Sequence, residues 1–316
     1  MSVVEQVREA EQRIRPHVRE TVLERSSYFS TLGGADVYFK LENLQHTGSF
    51  KARGALNKVL SLTDAELARG IVTASSGNHG AAVAFALAKT GAQGKVFVPR
   101  QASTAKVANI ERLGGEVIFE GDDSGETEVI ARQYANDFGF TFISPYNDPQ
   151  VIGGQGTIAV ELLRQLSPLD AVFVAIGGGG LISGIAVHLA AMSPGTTIYG
   201  VSPANSQVMI QSIAANRILD IPSEPTISDG TAGGVEPGAI TFDLIREHVD
   251  ELVTVTEDEI KLAMREYIGS EHHLIEGAAG TAIAGYLKQR ETLRGCNVVV
   301  IVSGANIALD VLKTVL

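Results

Sequence analysis

The stretch Ala171-Val172-Phe173-Val174-Ala175-Ile176-Gly177-Gly178-Gly179-Gly180-Leu181-Ile182-Ser183-Gly184 decides the fold. Six apolar residues with no polar alternate suit a strand that is buried on both faces. Four glycines break the run. A helical pattern then opens at Leu181 and continues to about residue 193. Strand, glycine turn and helix together make half of a βαβ unit.

The same alternation extends in both directions. Short apolar runs read as strands at 37–39, 71–73, 96–98, 117–119, 140–143, 171–176, 198–201, 252–255 and 298–302. Helical periodicity fills 50–62, 79–90, 104–113, 126–138, 150–167, 181–193, 257–271, 277–291 and 306–315. The predicted class is α/β, with two open, twisted, mainly parallel sheets flanked by helices. Residues 60–147 form a compact run of β-α units ending in the turn-rich Ser144-Pro145-Tyr146-Asn147-Asp148-Pro149. They are expected to be a small domain, with 1–59 and 148–316 as the large one. Segment 216–238 reads as a long loop, and such loops are often functional.

With 316 residues, 45% hydrophobic and 19% charged, the chain can bury a sizeable core. The net charge of −11 repels phosphate backbones and anionic lipid, which argues against nucleic-acid and membrane partners. One cysteine, Cys296, excludes an internal disulfide and a multi-cysteine metal site. No apolar run reaches the length of a membrane span, and the N-terminus lacks a signal-peptide core. A cytoplasmic location is expected.

Four motifs carry chemistry. Lys51 lies in Thr47-Gly48-Ser49-Phe50-Lys51-Ala52-Arg53 at a helix start; alone, it would read as a solvated lysine. Ser75-Ser76-Gly77-Asn78-His79-Gly80 follows one strand and opens a helix, which makes either an anion site or an ordinary N-cap. Gly177 to Gly180 offers backbone N–H groups for a phosphate, or else a flexible turn. It matches neither the dinucleotide fingerprint nor the Walker pattern. Val302-Ser303-Gly304-Ala305-Asn306 ends the last strand. Three of these motifs lie at carboxyl ends of strands, where open α/β sheets bind ligands. Together they describe a pocket for a phosphorylated cofactor and an amino acid.

In this order and spacing the motifs resemble the pyridoxal-phosphate enzymes of the tryptophan-synthase-β fold, also called fold type II. The nearest branch is threonine/serine dehydratase and serine racemase. The likeness runs from Lys40-Leu41-Glu42-Asn43 to Ser303-Gly304. It implies that pyridoxal 5′-phosphate sits in the large domain on Lys51 as a Schiff base, with Phe50 and Gly230 against its ring faces. Gly177, Gly178, Gly179 and Gly180 would hold its phosphate, Asn78 its ring oxygen, and Ser303 would face its pyridine nitrogen. Ser75, Asn78, His79 and Glu276 would surround the substrate. Lys51 is the implied base, and Ser76 a second base on the opposite face if racemisation occurs. The implied reaction removes water and then ammonia from a β-hydroxy amino acid such as L-threonine or L-serine. A homodimer is implied as well.

Departures narrow this picture. Ser202 and Val208 replace acids that hold a divalent cation in the racemase pattern, so no metal is expected. Gly125 stands where racemase-like members carry an arginine able to meet a second carboxylate, which disfavours hydroxyaspartate. Val22 replaces a common proline. No regulatory domain is expected after residue 316, and so no feedback control by isoleucine. A hydroxylated diamino acid from hydroxyectoine breakdown remains an alternative substrate, and amino-acid racemisation an alternative reaction. Readings of another class are a non-catalytic protein that binds pyridoxal phosphate or an amino acid, and a nucleotide-binding protein.

Overall fold

The computed structural model describes residues 2–316. Ten strands make two sheets: β1 (Leu23–Arg25), β2 (Asp36–Leu41), β3 (Ile71–Ala74), β4 (Gly94–Val98), β5 (Glu116–Phe119), β6 (Thr141–Phe142), β7 (Ala171–Ala175), β8 (Thr197–Pro203), β9 (Glu251–Val255) and β10 (Asn297–Val302). The six-stranded sheet runs β1-β2-β10-β7-β8-β9, and the four-stranded sheet β5-β4-β3-β6. All pairings are parallel except β1 with β2. The expected fold class holds.

The apolar strands are buried on both faces because successive side chains point to opposite sides. Along β7, Ala171, Phe173 and Ala175 join one core, while Val172 and Val174 join another. Along β10, Val298, Val300 and Val302 face the first core, and Val299 and Ile301 the second. Residues of helices Glu257–Glu271 and Gly277–Gln289 complete the first core. Those of Pro149–Gln165 and Gly180–Met192 complete the second. Loops at the strand ends are thus left as the place for a site.

Helix Val3–Ile14 is an addition to the elements expected from sequence. A capping box of Ser2 and Glu5 starts it. Its buried stripe of Val7, Ala10 and Ile14 is narrow within a charged segment, which hides the period. Helices Asp64–Arg69, Val208–Ala214 and Ile240–His248 are similarly too short to show one clearly. Strand 140–143 shrinks to β6, because Phe140 N–H is spent closing the preceding helix on Ala135 O. The helix expected at 306–315 covers Leu309–Lys313. Segment 215–239 is loop apart from a 3-10 turn at Asp229–Thr231.

One buried polar cluster underlies helix Lys51–Leu60. Arg53 donates to Glu42 at 2.8 Å and to Glu161 at 2.7 Å, and Lys40 donates to Glu161 at 2.5 Å. All four side chains are fully buried. Burial works to raise the Glu161 pKa, but Arg53 and then Lys40 outweigh it and hold the carboxyl at about 2. The cluster ties the helix that carries Lys51 to β2 and to helix Pro149–Gln165.

Candidate active site

Lys51 is the first residue of its helix, held beside the end of β10. Phe50 N–H donates to Ser303 O at 3.0 Å, and Ser49 bridges Gly304. The Lys51 ammonium donates to Pro145 O at 2.8 Å and lies 5.2 Å from the Phe50 ring centre. Burial pulls its pKa down to about 8, opposed by the charge of Glu276. The amine still carries its proton for the most part at neutral pH, but gives it up far more readily than a solvated lysine.

Glu276 caps the start of helix Gly277–Gln289 and is only 3% exposed. Burial raises its pKa to about 7, against the pull of hydrogen bonds from Asn78 and Asn306. Asn78 Nδ2 lies 2.9 Å from both carboxylate oxygens, and Asn306 N–H donates at 3.1 Å. Gly230 lies alongside: a Cβ there would be 3.7 Å from Glu276 Oε1.

Ser75 to Gly77 leave β3 and lead into helix Asn78–Thr90. The Ser75 hydroxyl accepts from Gly77 N–H at 3.1 Å and keeps its own proton to donate. The Ser76 hydroxyl has no hydrogen-bond partner among the described residues. His79 needs a correction as a carboxylate-binding side chain. Its Nε2 lies 3.1 Å from Ile143 O, a pure acceptor, so Nε2 carries the proton. Burial, aided by Lys51, pushes its pKa down to about 3, which leaves Nδ1 an unpartnered lone pair. A lone pair cannot hold a carboxylate, so any contribution from His79 comes through its backbone N–H.

The glycine tract is shaped by its neighbours. Gly179 has φ +90° and opens helix Gly180–Met192. A Cβ on Gly178 would come within 2.4 Å of the Tyr146 ring, and one on Gly177 within 2.9 Å of the Thr231 backbone. The amides of Gly177, Gly178 and Gly179 donate to no acceptor among the described residues. They are available to an anion at a helix N-terminus.

These groups fit pyridoxal phosphate. The glycine amides can take the phosphate and Lys51 the aldehyde carbon. Ser303, 2% exposed, carries a buried hydroxyl with no partner, suited to a ring nitrogen. Asn78 would reach a ring oxygen by sharing its NH2 group with Glu276. Tyr146, Pro145 and Asn306 belong to the site too. The sequence puts Asn306 in the motif that ends the last strand, and Pro145 and Tyr146 in a turn-rich segment, without giving any of the three a role. Ser202 donates to Ile176 O and Val208 packs in the core, so both have structural places.

Known proteins resemble this chain along nearly its whole length. The model of the family described as "Pyridoxal-phosphate dependent enzyme" matches residues 14–304. An L-threonine ammonia-lyase of Thermotoga maritima is 37% identical over 316 residues, covering 100% of this chain and 78% of that protein. The processed form of threonine deaminase isoform 2 from Solanum lycopersicum superposes with a TM-score of 0.95 at 32% identity, covering 99% of this chain and 92% of that one. Maize serine racemase superposes with a TM-score of 0.93 at 33% identity, covering 98% and 95%. Matched over residues 14–304 and similar to these relatives along its length, the chain belongs to the pyridoxal-phosphate-dependent enzyme family.

Proposed function

We propose that this enzyme is an ammonia-lyase that removes water and then ammonia from a small β-hydroxy amino acid such as L-threonine or L-serine, leaving a 2-oxo acid. The observation that carries the reading is the buried Lys51 amine, drawn to a pKa of about 8 with the charge of Glu276 acting on it. When bound, pyridoxal phosphate supplies an electron sink that acidifies the Cα–H of the amino acid. A neutral Lys51 takes that proton as general base. The Ser75 hydroxyl and the amides at the start of helix Asn78–Thr90 hold the substrate carboxylate. Glu276, half-ionised near neutrality, can hold or release a proton beside the lysine. The β-hydroxyl leaves as water, and water adding to the resulting imine releases ammonia.

The amino-acid racemase reading is favoured by one observation, the unpartnered Ser76 hydroxyl on the substrate loop. We also infer a small unit at 60–147 working against 1–59 and 148–316, and a homodimer in the reducing cytoplasm. Among the described residues no helix is long and apolar enough to cross a membrane.

The test is an assay of the purified holoenzyme with L-threonine, L-serine and a hydroxylated diaminobutyrate, measuring ammonia, 2-oxo acid and optical rotation. Ammonia with stoichiometric 2-oxo acid supports the lyase and names its substrate. Inversion of configuration without ammonia would replace it with the racemase.

A further inference from the structure

Asn306 is exposed to solvent, three residues beyond Ser303, yet it bonds to three other segments of the site. Its Nδ2 donates to Thr47 O at 2.9 Å and to Asn78 Oδ1 at 2.6 Å, while its backbone N–H donates to Glu276. Each amide side chain has a donor end and an acceptor end, and the order of bonds here assigns both. Thr47 O can only accept, so the NH2 end of Asn306 faces inward. That end holds Asn78 Oδ1. Asn78 must then turn its own NH2 end to Glu276, where it sits 2.9 Å from each oxygen. A reversed Asn78 would set an amide oxygen against a carboxylate.

The other charges around Glu276 do little to replace those donors. The Lys51 ammonium donates to Pro145 O, not to Glu276. Asp229 and Lys106, which also act on Glu276, are paired with each other at 2.9 Å and largely offset one another. Burial works against ionisation. The amide donors are therefore what favours the carboxylate form.

We propose that Asn306 is a positioning residue for the reaction, locking the Asn78 amide with its N–H end on Glu276 and so favouring the ionised form of that carboxylate in the working site. Because Asn78 starts the helix behind the Ser75–Gly77 loop, Asn306 also couples the placement of that loop to the protonation of Glu276. The role rests on the ammonia-lyase reading above.

The test uses Asn306→Ala and Asn306→Asp in the holoenzyme. The aspartate cannot donate to Asn78 Oδ1 and attracts its NH2 end, so the amide turns its oxygen to Glu276. In Asn306→Ala the amide is free to turn either way. The acid limb of kcat/KM for ammonia release should move up by about one pH unit in Asn306→Asp, and less in Asn306→Ala. Thermal midpoint and the visible cofactor band at high pH should match wild type. An acid limb unmoved in both variants would overturn the proposal, whatever happens to kcat. A variant that loses cofactor is read by infrared titration of the Glu276 carboxyl, with Glu276→Gln identifying the band; an unchanged midpoint again overturns it. If wild type releases no ammonia from any substrate, the lyase reading fails, while the infrared titration still reports on Asn306.

Discussion

The guanidinium of Arg53 lies 2.7 Å from the carboxylate of Glu161, with neither side chain exposed. Glu161 also meets Lys40. Removing it leaves two buried cations short of a counter-charge, so Glu161→Ala should lose about 3–5 kcal/mol of stability. The pH dependence has a definite sign. A carboxyl held at about 2 contributes stability above its unfolded pKa, and that contribution disappears as pH falls from about 4.5 toward 2. Denaturant midpoints across that window should drop more steeply for wild type than for the variant.

Capture of the cofactor aldehyde needs an unprotonated Lys51. The amine titrates at about 8 in the cofactor-free protein. Reconstitution should therefore speed up about tenfold per pH unit below 8 and level off above it, after allowance for the cofactor's own titration. Stopped-flow absorbance of the apoenzyme measures this. Lys51→Ala should show neither a covalent band nor turnover.

Gly179→Ala should weaken cofactor retention at least tenfold. The position has φ +90°, and a Cβ would sit 2.6 Å from Ile245 Cδ1. Backbone strain of about 1–3 kcal/mol would fall on the loop whose free amides would hold the phosphate. Equilibrium dialysis of pyridoxal phosphate checks it, with Gly195→Ala, which meets nothing within 4 Å, as the comparison.

Ser76→Ala separates the two reactions. Its hydroxyl holds up no part of the chain, so ammonia release should persist within a few-fold of wild type. Any formation of D-amino acid should disappear, as chiral chromatography would show. A collapse of ammonia release would instead place Ser76 in the elimination itself.

The architecture was readable because β7 and β10 are apolar without interruption and each glycine turn marks a strand end. Helix Val3–Ile14 was hidden for the opposite reason, since three buried apolar residues, Val7, Ala10 and Ile14, among charges make a weak stripe. Lys51, a solvated lysine by itself, gained its role from the order and spacing of all four motifs, whereas the glycine tract could be found because its chemistry depends on residue type in local sequence. Asn306 and Tyr146 could not, because their places depend on contacts across long stretches of chain: Asn306 with Asn78, and Tyr146 with Gly178. The His79 ring misleads for a related reason. Its motif suggests a ligand, but Ile143 O, supplied by a distant strand end, fixes the tautomer.

The two anion loops open at helix N-termini, each carrying roughly half a positive charge. They sit in a body of net charge −11. The far field therefore repels a phosphorylated aldehyde that the near field attracts. Added salt screens long distances before short ones. Association of cofactor with the apoenzyme should accordingly become faster at moderate ionic strength, the reverse of electrostatic steering, and the enzyme's loading would depend on the ionic composition of its surroundings.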